Sequence, residues 1–417
     1  MTPTTALCND AMADARTGTT DAKNPSRPLR ILLVLQSVYP ASYGGAESQV
    51  RTLASAFKAR GHRVTIVAPM VGYGPQQRVA RVDGVPVLRL SYPRIPLLGG
   101  PLLWWAHARF LYARGRRYDA WHVHIAHHMG AVTAAMGRWL GRFVAVKVAG
   151  SWELQRGALA PNLKPWNWIA FRLLLRADKW QATSERMAAT LAGKGVPPSR
   201  IVVLPNAVNT DRFRGITHAP VGAPRFLFIG RLVPQKALET LLDAFATILP
   251  AHPAATLLVV GEGPLHDELQ AQAAALGMLD NVVFTGHRDD IETLLADANI
   301  GVLTSRIEGL SNTLLESMAA GLPMIASRIS GNEDFVRSGE NGWLFEAGDR
   351  EGLARCLDTA AALAPAQRTN MGECARETVR QQAGMDSVIN RLLALYRRDN
   401  AADAPASDVA ARQARRA

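Results

Sequence analysis

The feature that most constrains this chain is a repeated unit, an apolar run followed by a turn and a helical stretch, in two successive sets. LRILLVLQ (29–36) is a continuous apolar run, the pattern of a strand buried on both faces of a parallel sheet. A Gly-bearing loop follows, then a helical stretch from about Glu47 to Arg60, closed by Gly61. HRVTIVAP (62–69), YDAWHVHI (118–125), FVAVKVAG (143–150), KWQATS (179–184) and RIVVLPNAV (200–208) continue the first set. The pattern restarts at RFLFIGRL (225–232), followed by ATLLVVGEGP (255–264), NVVFTG, IGVLTS and MIAS, with helical segments between. Two such sets predict two doubly wound α/β domains, with ligands taken beyond the carboxyl ends of the strands.

Length and charge bound what those domains do. A chain of 417 residues is long enough for two or three domains with real cores. Cys8, Cys356 and Cys374 lie far apart, without metal-ligand or disulfide-framework spacing. No run reaches the ~18 apolar residues of a spanning helix, and residues 1–28 lack the apolar core of a signal peptide. A cytoplasmic location is the expectation. Residues 1–28 and 400–417 read as disordered tails. Residues 1–215 hold 29 basic and 10 acidic side chains, whereas residues 216–417 hold 18 and 25. The first half therefore expects an anionic partner.

Three groups of residues carry chemistry. In SRIEGLSNTLLESMAAGLP (305–323), Glu308 and Gly309 follow a strand, Leu310 leads in, and Ser311 or Asn312 caps a helix holding Glu316. The free amides of such a helix start favour anionic oxygens, and the two carboxylates flanking them suit hydroxyl groups. Together they describe a nucleotide sugar. In FIGRLVPQKALETLL (228–242), Gly230 ends a strand, and Arg231 and Lys236 converge at a strand–helix turn fit for a diphosphate. Lys236 is the only lysine of residues 216–417, in a half that otherwise uses Arg. In WHVHIAHH (121–128), His122 and His124 share a strand face, and His127 and His128 begin the next loop. An H-x-H-x-x-H spacing also occurs in metal-dependent hydrolases, but Ala126 stands where those carry an Asp. There is no P-loop, no G-x-G-x-x-G after the first strand and no Asp-x-Asp pair for a metal-bound diphosphate.

The chain resembles the family-4 retaining glycosyltransferases of GT-B fold over residues 29–395. The resemblance rests on an ordered set: GGAE (44–47), PNAVNTDRF (205–213), G-R-L-x3-K (Gly230 to Lys236), GEGP (261–264) and E-x7-E (Glu308, Glu316). It implies two Rossmann-like domains facing a cleft. Residues 29–215 would bind acceptor and 216–380 the nucleotide sugar, and 381–399 would hold a helix packing back on the first domain. By resemblance Arg231 and Lys236 hold the donor diphosphate, Glu316 the ribose, Glu308 the transferred sugar, and His124 orients a sugar hydroxyl. Gly45 lies against the donor from the opposing domain. The implied enzyme is a retaining hexosyltransferase of cell-surface or exopolysaccharide synthesis, needing no metal or other cofactor. Its donor is a UDP- or GDP-sugar, and its acceptor a glycan or polyprenyl-diphosphate-linked glycan; nucleic acid is not a partner. The alternatives are a nucleotide-sugar 2-epimerase of the same architecture and a non-catalytic nucleotide-sugar-binding module.

Two departures stand out. Ala237 replaces the family's usual Gly after the lysine, which reads as a conservative change in a helix. SGNEDFV (330–336) replaces a Gly-Gly-x-x-Glu loop, keeping Gly331 but placing Glu333 early, so Glu333 receives no role. Finally, eight of nine tryptophans fall within residues 104–180. Trp104 and Trp105, then Lys164, Trp168, Arg172 and Arg176, mix aromatic and basic residues, and Arg172, Arg176 and Lys179 are spaced as one helix face. That pattern predicts peripheral binding to an anionic membrane surface, on its inner face, beside the acceptor.

Overall fold

A computed structural model describes residues 27–36, 44–72, 76–150, 152–155, 158–160, 165–218 and 222–398. Two sheets organise it. The first has eight strands: β1 (Arg30–Val34), β2 (Arg63–Pro69), β3 (Val79–Val82), β4 (Val85–Leu90), β5 (Ala120–Val123), β6 (Phe143–Val148), β7 (Lys179–Ala182) and β8 (Ile201–Val203). Their order is β3-β4-β2-β1-β5-β6-β7-β8. The second has β9 (Arg225–Ile229), β10 (Thr256–Val260), β11 (Val282–Gly286), β12 (Ile300–Leu303), β13 (Met324–Ser327) and β14 (Gly342–Phe345), ordered β11-β10-β9-β12-β13-β14. All pairings are parallel except β3 with β4.

Strand identity follows from burial on both faces. β1 sits mid-sheet, Leu32 opposite Thr65 on one side and Trp121 on the other, and Ile31 to Val34 are all buried. The β3–β4 hairpin is an addition that periodicity alone did not expect. Its turn is Asp83-Gly84 with φ of 51° and 71°, the paired left-handed conformations that match the twist of the flanking strands. The Asp-Gly dipeptide was its available signal.

The order in each sheet reverses once. In the first sheet the switch lies between β1 and β5, so the loop carrying His124 opens there. In the second it lies between β9 and β12, which places the loops after Ile229 and after Leu303 side by side. Crossovers leave a crevice at such a point, because the neighbouring helices turn to opposite faces.

The chain crosses between the sheets twice, and the crossings pair with each other. Val208 N donates to Ala383 O at 2.9 Å and Met385 N donates to Val208 O at 2.9 Å. Beyond Gly384 the last helix, Met385–Arg397, returns to the first sheet. Val388, Ile389, Leu392, Leu393, Leu395 and Tyr396 join Leu29, Val50, Phe57 and Ala145 in one core. At roughly 1.5–3 kcal/mol for each large apolar side chain buried, six such residues supply on the order of 10 kcal/mol before ordering entropy. That is comparable to a whole domain's net stability.

Two sequence readings need correction here. Ala237 is not helical. It adopts φ 50°, ψ 43° in the turn between the Pro234–Lys236 3-10 turn and the Leu238–Ile248 helix. An L-residue there pays roughly 1–2 kcal/mol relative to glycine. Ala237→Gly is therefore expected to stabilise the protein by about 0.5–1 kcal/mol after the unfolded chain's added freedom is subtracted, read as a raised urea midpoint at unchanged slope. A lowered midpoint would show the left-handed turn to be unstrained.

The helix face expected through Arg172, Arg176 and Lys179 ends early. It spans Pro165–Leu174, after which Arg176 lies in a turn and Lys179 begins β7. The cause is a long-range bond: Asp178 Oδ2 accepts from Val144 N at 2.8 Å, turning the chain onto the edge of β6. Arg172, Arg176 and Lys179 thus share no helix face, and Lys179 Nζ donates to Ser199 O at 3.1 Å.

Candidate donor and acceptor site

Around the second sheet's switch point, glycine does steric work. A Cβ on Gly261 would sit 1.9 Å from Gly230 O, and one on Gly263 2.2 Å from Leu232 O. GEGP thus lies flat against the Gly230–Leu232 turn, where Gly230 N donates to Val260 O and Leu232 N to Glu262 O, both at 2.9 Å. That stack aims the following residues outward. Arg231 is exposed and Lys236 half-buried.

Lys236 Nζ forms an ion pair with Glu308 Oε1, which also accepts from Ser305 Oγ at 3.1 Å. The two loops are tied behind this pair: Thr304 Oγ1 donates to Lys236 O at 2.7 Å and Arg306 N to Gln235 O at 2.8 Å. Residues 72 apart in sequence meet because β9 and β12 are neighbours. Of the two capping candidates, Ser311 is the cap, its Oγ accepting from Leu314 N at 3.4 Å, and Asn312 opens the Asn312–Ala319 helix. Leu310 is buried. Glu316, in the same helix, is pushed up to about 7 by burial; Arg212 opposes the shift and Glu292 adds to it.

The first half meets this loop directly. Asn312 Nδ2 donates to Gly45 O at 3.2 Å, at the start of the Gly45–Ala59 helix. A Cβ on Gly309 would stand 2.1 Å from Ala149 O, so the loop after β12 is packed against the loop after β6. Farther along, Ser184 Oγ lies 2.6 Å from Ser330 Oγ, Glu185 N donates to Asp334 Oδ2 at 3.0 Å, and Arg186 pairs with Glu333 at 2.5 Å. Glu333, given no role from sequence, is one arm of this clasp. Burial raises the Asp334 carboxyl to about 6, against the hydrogen bond from Glu185 N.

His124 lies just past β5 and is buried together with His122, ring centroids 4.3 Å apart. Burial holds both imidazoles neutral, His122 down to about 3 and His124 well below its usual range. His122 Nδ1 lies 2.7 Å from Tyr396 Oη of the returning helix. Neither ring nitrogen of His124 has a partner among the described residues. His127 ends the loop after β5 at the N-cap position, without a side-chain capping bond, whereas His128 already belongs to the His128–Leu140 helix and stacks on Trp104 at 4.9 Å. Among the described residues no three His, Cys, Asp or Glu side chains converge as a metal site would require.

The aromatic region divides. Trp121 and Trp180 are fully buried core residues. Trp105, Trp166 and Trp168 are exposed, with Arg109 over Trp105 at 5.6 Å and Arg172 over Trp168 at 5.4 Å. Trp104 lies 6.4 Å from Trp166, and Arg176 is exposed in its turn. Lys164 lies outside the described residues, as do residues 1–26 and 399–417 of the two tails.

Comparison with known proteins fits this geometry. Residues 43–212 match the model of Glycosyltransferase Family 4, and residues 223–362 that of Glycosyl transferases group 1. The chain belongs to the family-4 glycosyltransferases. This family-4 chain is 34% identical over 199 residues to the lipopolysaccharide core biosynthesis glycosyltransferase LpsE of Rhizobium meliloti, covering 47% of this chain and 57% of that one. The chain thus spans little more than half the length of that relative. A phosphatidyl-myo-inositol mannosyltransferase of Mycobacterium leprae is 28% identical, over 75% of this chain and 83% of that one. Among solved structures, Anabaena Alr3699/HepE in complex with UDP superposes with a TM-score of 0.71 at 21% identity, over 87% of this chain and 98% of that one. The two parallel-dominated sheets have the GT-B architecture of such structural neighbours.

Missed from sequence are residues at the junction of the halves: Asn206 and Gln49, which bond across to Asn312, and Lys147 and Glu153, which brace the first half behind them. Lys147 had a signal, a lysine inside an otherwise apolar strand, where an unpaired charge is costly.

Proposed function

We propose that the chain is a retaining, metal-independent hexosyltransferase of cell-surface or exopolysaccharide synthesis. It moves a sugar from a UDP- or GDP-sugar to a glycan or polyprenyl-diphosphate-linked glycan. The observation carrying this reading is the Lys236–Glu308 pair at the switch point, with Arg231 exposed beside it and the Ser311-capped helix behind. A diphosphate oxygen replaces the Glu308 carboxylate on Lys236 and takes Arg231 as a second cation. Glu308, released, accepts from hydroxyls of the transferred sugar. Glu316 accepts from the ribose, a contact favouring its ionised form. His124, neutral and with ring nitrogens that meet no described partner, orients a sugar hydroxyl.

The domain roles follow. Residues 216–380 bind the donor and 29–215 the acceptor. Charge growing on the leaving diphosphate is met by Arg231, Lys236 and helix-start amides, preorganised donors of the kind that stabilise developing anions most. With the acceptor approaching on the leaving group's side, configuration is retained and the diphosphate takes the acceptor proton. Relatives named for lipopolysaccharide core, phosphatidyl-inositol and GDP-mannose-dependent transfer support the reading, as do neighbours solved with UDP and UDP-glucose.

The test is turnover across a panel of UDP- and GDP-sugars with a lipid-linked acceptor extract, before and after exhaustive EDTA treatment. One donor should give anomer-retained product, undiminished by EDTA. Tight donor binding without turnover would favour the non-catalytic module, and interconversion of the free donor's C2 epimers the epimerase.

No described helix is long and apolar enough to cross a membrane. The reading adds peripheral binding on the inner face, through the exposed Trp105, Trp166 and Trp168 with Arg109 and Arg172. Each basic residue near an anionic surface is worth ~1 kcal/mol. An Arg109→Glu/Arg172→Glu double variant should therefore sediment with anionic vesicles at least roughly tenfold less, with donor binding intact. Wild-type protein that ignores such vesicles at low salt would make the acceptor a soluble glycan.

A further inference from the structure

Lys147 lies inside β6, between β5 and β7, with only 2% of its surface exposed. A buried ammonium costs several kcal/mol unless it is paired and hydrogen-bonded. Its placement therefore needs an account, and at this depth it touches no substrate. Its Nζ donates to Asn206 Oδ1 at 2.6 Å. That contact fixes the orientation of the Asn206 amide, because its other end must then be the NH2 group. Both remaining hydrogens cross to the second half: Nδ2 donates to Leu310 O at 3.0 Å and to Asn312 Oδ1 at 2.8 Å. A cation on the carbonyl end polarises the amide and strengthens these two bonds.

The residues reached flank Ser311, the cap of the helix whose free amides serve the donor. Gln49 Nε2 adds a bond to Asn312 Oδ1 at 3.1 Å and another to Ala207 O at 3.1 Å. Glu153 braces the same junction. Its carboxylate accepts from Ala126 N and Ala149 N at 2.6 Å and from Gly150 N at 3.0 Å, holding the backbone on which Gly309 packs.

We propose that Lys147 and Asn206 are positioning residues that hold the Leu310–Asn312 segment in its donor-binding geometry from within the first sheet. Nucleotide-diphosphate affinity is then set in part by a charge that never meets the nucleotide. The proposal rests on the donor-site reading above. Burial lowers Lys147 to about 8, against Glu153, which raises it; Glu153 itself is raised to about 7 by burial. His122 and His124, the other titratable neighbours, are neutral throughout. Lys147 is therefore charged at pH 7 and loses its proton as pH rises through about 8.

The experiment is calorimetric titration of the full chain with UDP, and in parallel GDP, from pH 7 to 9.5. In the wild type, affinity should fall about tenfold across that range, the worth of one or two polarised hydrogen bonds. Lys147→Met should bind about tenfold more weakly at pH 7 and show no further fall. Asn206→Asp, which keeps the partner of Lys147 but loses both donated bonds, should also be weakened at pH 7. A pH-independent wild type overturns the proposal without any variant that must fold. So does a folded Lys147→Met protein that keeps wild-type affinity and its alkaline decline. If neither UDP nor GDP binds the wild type at pH 7, the donor-site reading itself fails and the proposal with it.

Discussion

Lys236→Ala is expected to lower turnover by 10²–10³-fold, with donor affinity changed far less. Lys236 has two tasks in the proposed reaction: it neutralises Glu308 in the free protein and meets charge on the leaving diphosphate during transfer. Only the second grows toward the transition state, so its loss appears in kcat rather than in binding. Removing one preorganised donor of this kind costs ~2.7–4 kcal/mol of barrier. Arg231→Ala should fall in the same range, and Glu308→Ala should lower kcat because the sugar contact acts at the reacting centre. Glu316→Ala should mainly raise KM, since a ribose contact is shared by ground and transition states. Turnover in Lys236→Ala within a few-fold of wild type would remove the central support for the proposed mechanism.

Gly309→Ala is expected to be nearly as damaging, for a purely steric reason. Its new Cβ would come within 2.1 Å of Ala149 O and 2.8 Å of Gly150 Cα, both backbone atoms that no rotamer change can move. On the loop's other side a Cβ on Gly331 would meet Gly309 O at 2.3 Å, so the loop has little room to retreat. Either the Glu308 loop shifts by about an ångström or the two halves part. A misplacement of that size costs on the order of 10²-fold in rate. Circular dichroism should show both sheets intact while turnover collapses. Wild-type turnover would mean that this contact is not part of the working geometry.

How far the sequence could be read follows from which interactions are local. The strand–helix alternation carried the two sheets, because a strand buried on both faces announces itself as a continuous apolar run. Lys236 and Glu308, read from separate motifs, meet because the loops after β9 and β12 are far apart in sequence but adjacent at one switch point. What failed did so where the periodic pattern is silent. Arg172, Arg176 and Lys179 read as one helix face because the i, i+4, i+7 spacing is local, while the bond that holds Asp178 beyond the helix comes from Val144. Ala237 reads as helical because the residues after it are; its left-handed backbone is set by the turn before it. Lys147 enters the sequence reading only as one of the 29 basic residues of the first half, although a lysine amid FVAVKVAG points inward as readily as its apolar neighbours do.

The returning helix has a consequence for how the molecule is made. During synthesis the first sheet leaves the ribosome complete by about residue 203, yet its core still lacks Val388, Ile389, Leu392 and Tyr396. Until those residues emerge, the apolar surface around Leu29, Val50 and Phe57 lacks part of its cover, while the second sheet is already able to fold as a unit. The first sheet, translated before the second, is thus the last to reach its native state. A stop codon shortly after Gly384 would spare the second sheet and strand the first.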